Sequence, residues 1–284
     1  MSSDTEVVPA TTATRHPLDP CSAAEVAATS AILFRDKGLN SSVRFVSVEP
    51  HERPVMRTGA TDVDREMFVV LRDRAAGATI EAVVSLTRDT VLSWRQIPFA
   101  QPGFSRDEFA ECDAVVRADP EFQAAMLRRG VTDLSLVSID LWAPGNTGPA
   151  DDPTRRLMRP QVYVRTGRFD NRYAHPVEGL TVLVDLDRMA VLEVVDHGVV
   201  PVPAGRANYI PELITGQIEG YPDNAPMFDA VRTDLRPLEI TQPDGPSFAV
   251  DGYAVSWQKW RLRVGYSPRE GLVLHQVGYV DHGR

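Results

Sequence analysis

Residues 80–94, IEAVVSLTRDTVLSW, and residues 180–194, LTVLVDLDRMAVLEV, are nearly the same text. Each alternates apolar and polar positions, the period of a strand with one buried face. Each is interrupted once by a polar turn, Thr87-Arg88-Asp89 in the first and Asp187-Arg188-Met189 in the second. That is the pattern of an antiparallel hairpin. A chain that carries it twice, each time after a helix and further strand-like runs, is constrained to a duplicated helix-then-meander design. Each copy spans roughly 90–100 residues, within the usual size of a small domain.

The helices carry their own punctuation. Ser22 followed by Glu25 forms a capping box ahead of AAEVAATSAILFRDK, in which Val26, Ile32 and Leu33 supply an apolar stripe and Gly38 a stop. Ser105 and Glu108 repeat the box before a helix that Asp119-Pro120 divides in two. After the first helix come SVRFVSVEP, REMFVVLRD, ATIEAVVSLT and TVLSWRQIPF. After the second pair come LSLVSIDLWAP, RPQVYVRTG, GLTVLVDLD and MAVLEVVDHG. The implied layout is a mobile tail at 1–15, a first α+β domain at 16–100 and a second at 101–204.

Beyond Gly205 the periodicity stops. Residues 205–237 scatter Pro and Gly without sustained rhythm and read as a linker. Residues 238–284 are purely strand-like and form a third unit. Its last ribbon places Trp260, Leu262, Val264 and Tyr266 on one face, and Trp257, Lys259, Arg261 and Arg263 on the other. The returning strand sets Leu272 and Leu274 against Val273, Val277 and Tyr279 on its opposite side. Apolar groups on both faces imply a strand enclosed within a larger sheet or sandwich. A lone ribbon is marginal in water, and Asp281-His282-Gly283 reads as a turn towards another strand. The expectation is a unit that is cut short.

Composition narrows the function classes. A net charge of −9 and the absence of any dense Lys/Arg run argue against a nucleic-acid surface, which must neutralise phosphates. No apolar run approaches the ~18 residues of a spanning helix, and the N-terminus shows no secretory pattern, so a cytoplasmic protein is expected. Cys21 and Cys112 show neither disulfide nor metal spacing. The glycines form no phosphate cradle.

The six histidines, His16, His51, His175, His197, His275 and His282, are scattered, and a metal site needs three to converge. His275 reads as a packed or hydrogen-bonded imidazole, His175 and His197 as turn residues. Asp185 and Asp187 share strand parity, but their place beside a turn reads as solvated turn acids. The row Lys259, Arg261 and Arg263 is either a binding strip or a set of partners for acids of a neighbouring domain.

Several ordered blocks carry a resemblance. HPLDPCSAAEV, HPVEGLTVLVDLD, GVVPVPAGRANYIPEL and PLEITQPDGPSFAVDGYAVSWQKWRLRVGYSPREGLVLHQVGYVD together span most of the chain from His16 to Asp281. On these blocks the chain resembles the copper amine oxidases. The resemblance implies two cystatin-like α+β domains followed by the start of a β-sandwich catalytic domain. It implies oxidation of a primary amine by dioxygen and water to an aldehyde, ammonia and hydrogen peroxide. Copper held by three histidines and a topaquinone made from the protein's own tyrosine serve that reaction, in an enzyme that is usually a homodimer.

The family's quinone motif, Thr-x-x-Asn-Tyr-(Asp/Glu), is not matched. Asn208-Tyr209 is followed by Ile210, Gly205 stands where Thr belongs, and there is no His-x-His pair. Catalytic residues and metal ligands are therefore expected outside this chain, which alone should be inactive and bind no cofactor. By resemblance, Phe109 and Tyr173 fall where relatives line the substrate channel. For Phe109 the competing reading is a core position of an amphipathic helix. A second function class also stands, a non-catalytic binding or assembly module built on cystatin-like domains.

Overall fold

The computed structural model describes residues 16–54, 56, 63–145, 155–165, 170–204 and 234–283. It is an α+β structure. In chain order come α1 (Ala23–Lys37), β1 (Val43–Pro50), β2 (Glu66–Asp73), β3 (Ala78–Ser85) and β4 (Thr90–Ile97). Then follow α2 (Arg106–Ala118), α3 (Pro120–Arg128), β5 (Val137–Asp140), β6 (Leu157–Met158), β7 (Gln161–Val164), β8 (Leu180–Asp185) and β9 (Ala190–Asp196). The last elements are β10 (Phe248–Asp251), β11 (Ala254–Trp257), β12 (Trp260–Ser267) and β13 (Gly271–Tyr279). The described residues fall into two compact units. One takes in those of Met1–Asp73, Ala78–Pro98 and Thr241–Arg284; the other takes in those of Arg74–Gly77 and Phe99–Ile240.

In the first unit β1–β4 form an antiparallel meander in sequence order. Met67, Val69, Leu71, Ile80, Ala82 and Val84 bury one face of it against Ile32 and Leu33 of α1. The helix starts where the sequence says, since Ser22 and Glu25 complete a reciprocal capping box, and it stops at Gly38 with φ 59°. Its buried face is Thr29, Ile32 and Leu33, whereas Val26 stands at the surface.

The second unit repeats the opening. Ser105 and Glu108 cap α2, and Asp119 ends that helix and caps α3, whose first residue is Pro120. The two look-alike hairpins share a register. Val84 faces Val91 and Ser85 faces Thr90, just as Val184 faces Val191 and Asp185 faces Ala190. Each has its register shift directly before those pairs and a left-handed residue in the turn, Asp89 at φ 52° and Met189 at φ 50°.

The second sheet departs from a continuous meander. It is a β5–β7 pair and a β6–β8–β9 sheet. Beyond β7 the ladder shrinks to a bridge between Tyr163 and Pro176, with Val164 N–H donating to His175 O and Val177 N–H to Val162 O. Pro160 and Pro176 have no N–H to contribute, so pairing cannot propagate there.

The third sheet, β10–β13, is again a meander. Two expectations about its faces fail for local reasons. The chain turns at Gln258-Lys259, so Trp257 lies directly opposite Trp260 and shares its face. In β13 a bulge sets the single Leu262 against Gln276 and Val277, and Gln276 takes φ 49°. The extra residue inverts the alternation, and Val277 and Tyr279 join Leu272 and Leu274 on one face. The ribbon therefore gathers most of its apolar side chains on one side, with Val273 on the other.

Candidate functional site

Phe109 lies one turn into α2, and it is 40% exposed rather than part of the core. The helix turns Glu108, Cys112 and Val116 inward, which leaves Phe109 at the rim. Its ring meets Phe104 edge-on at 6.3 Å. Below that pair lies an ion pair that sequence reading missed. Arg156 donates from Nε to Glu108 Oε1 at 2.5 Å and from Nη2 to Oε2 at 2.9 Å. The same guanidinium donates to the carbonyls of Pro102 and Gly103, both at 2.9 Å, and stacks 4.7 Å from the Phe104 centroid. Burial pushes the Glu108 carboxyl up, but the hydrogen bonds from Arg156 and the Ser105 N–H outweigh it and hold the group below the usual glutamate range.

Tyr173 sits in a 3₁₀ turn, Arg172–Ala174, and is 53% exposed. Its hydroxyl accepts from Arg172 Nη2 at 2.8 Å, the guanidinium lies 4.8 Å from its centroid, and Tyr163 packs edge-on at 5.2 Å. Arg172 is itself held by Ser138 and Asp140. Phe109 and Tyr173 thus belong to separate aromatic–arginine clusters.

Most other candidates are structural. His175 does stand at a turn, but it is buried, with Nδ1 2.7 Å from Pro203 O and Nε2 3.0 Å from Asp170. Asp185 is not solvated. It is buried, and its Oδ1 accepts from the N–H groups of Asp187 and Arg188. Of the cationic row, Lys259 pairs with Asp281 and Arg263 with Asp19. Cys21 and Cys112 are in no disulfide, and Cys21 Sγ lies 3.3 Å from Met67 Sδ. Asn208-Tyr209, with the rest of 205–233, lies outside the described residues. Among the described residues no group of three or more His, Cys, Asp or Glu converges as a metal site, so these residues do not fit copper. No helix among them is long and apolar enough to cross a membrane.

The most distinctive surface is the outer face of β10–β13. The cross-strand pairs Phe248–Trp257, Trp257–Trp260, Val255–Leu262 and Trp260–Tyr279 line it. Leu272 is 71% exposed and Leu274 and Val277 are both 53% exposed. Monomeric proteins rarely leave so large a contiguous apolar patch in water. The opposite face meets β1 and β2 across a cavity of about 410 Å³ lined by Glu49, His51, Glu52, Phe68, Glu270 and His275. Burial and then the Glu270 charge push the Glu49 carboxyl up. His51 is committed to Glu66, and Glu270 to Ser267 and Arg269.

Comparison with known proteins matches three stretches of the chain. A family described as AGAO-like N2 domain matches residues 22–94, copper amine oxidase N3 domain matches 107–210, and copper amine oxidase enzyme domain matches 249–284. The chain is 44% identical over 271 residues to a primary amine oxidase of Arthrobacter sp. (strain P1), covering 94% of this chain and 39% of that protein. It is 36% identical to a peroxisomal copper-containing diamine oxidase of Nicotiana tabacum, over 95% of this chain and 38% of that one. It is 33% identical to a histamine oxidase of Arthrobacter globiformis, over 98% and 40%. The chain thus spans about two fifths of the length of these relatives. In fold it is similar to a copper-containing benzylamine oxidase from Hansenula polymorpha, with TM-score 0.72 at 20% identity over 93% of this chain and 42% of that structure.

Proposed function

Since the chain belongs to the copper amine oxidase family, we propose that it is the N-terminal portion of a copper- and topaquinone-dependent primary-amine oxidase, inactive without the rest of the enzyme domain. The whole protein would convert a primary amine, dioxygen and water to an aldehyde, ammonia and hydrogen peroxide, as a cytoplasmic homodimer. In it, 16–100 and 101–204 would be the two α+β domains, 205–237 the linker and 238–284 the entry to the catalytic sandwich. Copper and the quinone would supply the electron sink and the reduction of dioxygen, and their ligands and precursor would lie in polypeptide beyond these 284 residues. Phe109 and Tyr173 would line the route of the amine, a role that their exposure supports.

One observation carries the reading. The outer face of β10–β13 is an apolar sheet surface with half-exposed tryptophans and leucines, a surface that would suit the inner layer of a sandwich whose second layer came from other polypeptide. The experiment compares two chains incubated aerobically with Cu(II): these 284 residues, and a chain extended through the enzyme domain. The expected outcome is peroxide on addition of a primary amine, with a visible quinone band, from the extended chain alone. Peroxide from the 284-residue chain, or silence from both, overturns the proposal. Tight capture of another protein without turnover in either chain would favour a binding module.

A further inference from the structure

The inner face of β10–β13 is held to the α1/β1–β4 layer by polar contacts. Arg263 donates from Nη1 to Asp19 Oδ1 at 2.6 Å, with the two side chains only 17% and 10% exposed. Gln276 donates from Nε2 to the backbone carbonyl of the buried Met56 at 2.9 Å. His275 lies across Gly265, where an added Cβ would stand 2.3 Å from Nε2, and that nitrogen is 3.7 Å from Glu52. The acceptors are arranged in advance by the layer that owns them. Asp19 Oδ2 accepts from the His16 N–H at 3.0 Å, and the Asp19 carbonyl accepts from Arg65 at 2.9 Å.

Gln276 is the informative residue. A non-glycine side chain in the left-handed region is strained, and glutamine is not among the residues that tolerate it best. Here the strain accompanies two effects at once. The bulge moves Val277 and Tyr279 to the outer face, and the Gln276 amide reaches the Met56 carbonyl. A register slip of one residue would separate Arg263 from Asp19 and Gln276 from Met56 together, leaving buried polar groups unpaired.

We propose that the α1/β1–β4 layer is the template for the first sheet of the enzyme domain. Its acceptors Asp19 and Met56 O fix the register of β12 and β13, so that one complete apolar face is presented outward. This assigns the first α+β domain a structural duty towards the catalytic domain that is separate from any part in the amine oxidation.

The test is hydrogen exchange measured by mass spectrometry on the full 284-residue chain, with Arg263→Met and Gln276→Gly beside the parent. Gln276→Gly discriminates. If residue 276 served the bulge alone, glycine would relieve the positive φ and exchange would slow or stay unchanged. The template predicts the reverse, with amides of 254–279 exchanging about tenfold faster because a buried carbonyl loses its donor. Amides of α2 through β9 should keep the parental rate, and Arg263→Met should give the same local pattern. Exchange at 254–279 no faster than parental in Gln276→Gly, or acceleration spread equally through α2 to β9, overturns the proposal whatever Arg263→Met does.

Discussion

Replacing Arg156 with Met tests how the second α+β unit is held together. Arg156 is 1% exposed, and its partner Glu108 lies almost as deep. The substitution keeps most of the volume but strands a carboxylate, for which the loss is about 3–5 kcal/mol. The carbonyls of Pro102 and Gly103 lose their donor as well, adding about 1 kcal/mol each unless water reaches them. The pH dependence gives the sharper criterion. In the parent chain the Glu108 carboxyl is depressed, since hydrogen bonds from Arg156 and Ser105 outweigh burial. Its contribution is therefore present above the ordinary glutamate range and is lost as pH falls through the depressed value. Without Arg156 burial dominates and the carboxyl rises, so the variant binds more protons folded than unfolded and gains stability as pH falls towards the ordinary range. The sign of the slope reverses. Adding Glu108→Gln should recover most of the loss, because glutamine can still serve the capping box and carries no charge. Urea unfolding followed by hydrogen exchange of the α2 amides, from pH 4 to 7, reads both quantities. A loss below about 1 kcal/mol, or an unchanged slope, would refute the reasoning.

Four further outcomes are expected. Gly179→Ala should destabilise the second unit in urea unfolding by about 1–3 kcal/mol or more, because Gly179 has φ 71° and the new Cβ would stand 2.6 Å from Gly198 O. Cys112, pushed up to about 12 by burial first and by Asp113 and Glu108 next, should resist a disulfide reagent at pH 8 in the folded chain. The half-buried Cys21 should react, and both should react in denaturant. Leu272→Lys with Leu274→Glu should lower dye binding and light scattering while leaving first-unit stability within about 0.5 kcal/mol, since both side chains are exposed. If the proposed function holds, Phe109→Ala and Tyr173→Ala in a chain extended through the enzyme domain should raise KM more than they lower kcat. Their stability cost should stay below about 1 kcal/mol, and an unchanged KM for both would remove them from the amine's route.

What could be read in the sequence was local. The caps at Ser22, Ser105 and Asp119 and the stop at Gly38 are decided by side chains within a turn of the residue concerned, so the text contains them whole. The apolar alternation of β2 and β3 is equally self-contained, and it places Met67, Val69 and Leu71 in the core. Partners distant in sequence were illegible. Glu108 was seen as a cap residue, but nothing near it announces Arg156. The same holds for Asp19 and Arg263. Gln276 was hidden for another reason. The left-handed region is the habit of Gly, Asn and Asp, so a glutamine there carries no flag, and every face assigned beyond it was inverted. Phe109 was legible as an aromatic on an amphipathic helix; its rim position depended on which side of α2 the sheet would cover.

The matched hairpins show which features their two turns share. In the first, Ser85 Oγ accepts from the Arg88 N–H at 3.1 Å; in the second, Asp185 Oδ1 accepts from the Arg188 N–H at 3.0 Å. Serine and aspartate are different residues with the same office, an acceptor placed three positions before the amide it serves. The left-handed position likewise passes from Asp89 to Met189 without a change of register. What the hairpin requires is an acceptor and a tolerated conformation, so its two copies can drift in sequence and stay alike in shape. The residues outside that requirement differ in use. The α1/β1–β4 layer directs Asp19 and the Met56 carbonyl to the polar face of β12 and β13, while the second unit displays Phe109 edge-on to Phe104 and Tyr173 against Arg172. Divergence of role on a shared turn chemistry follows from where the constraint lies: in the turn and the core stripe, with the remaining faces left to function.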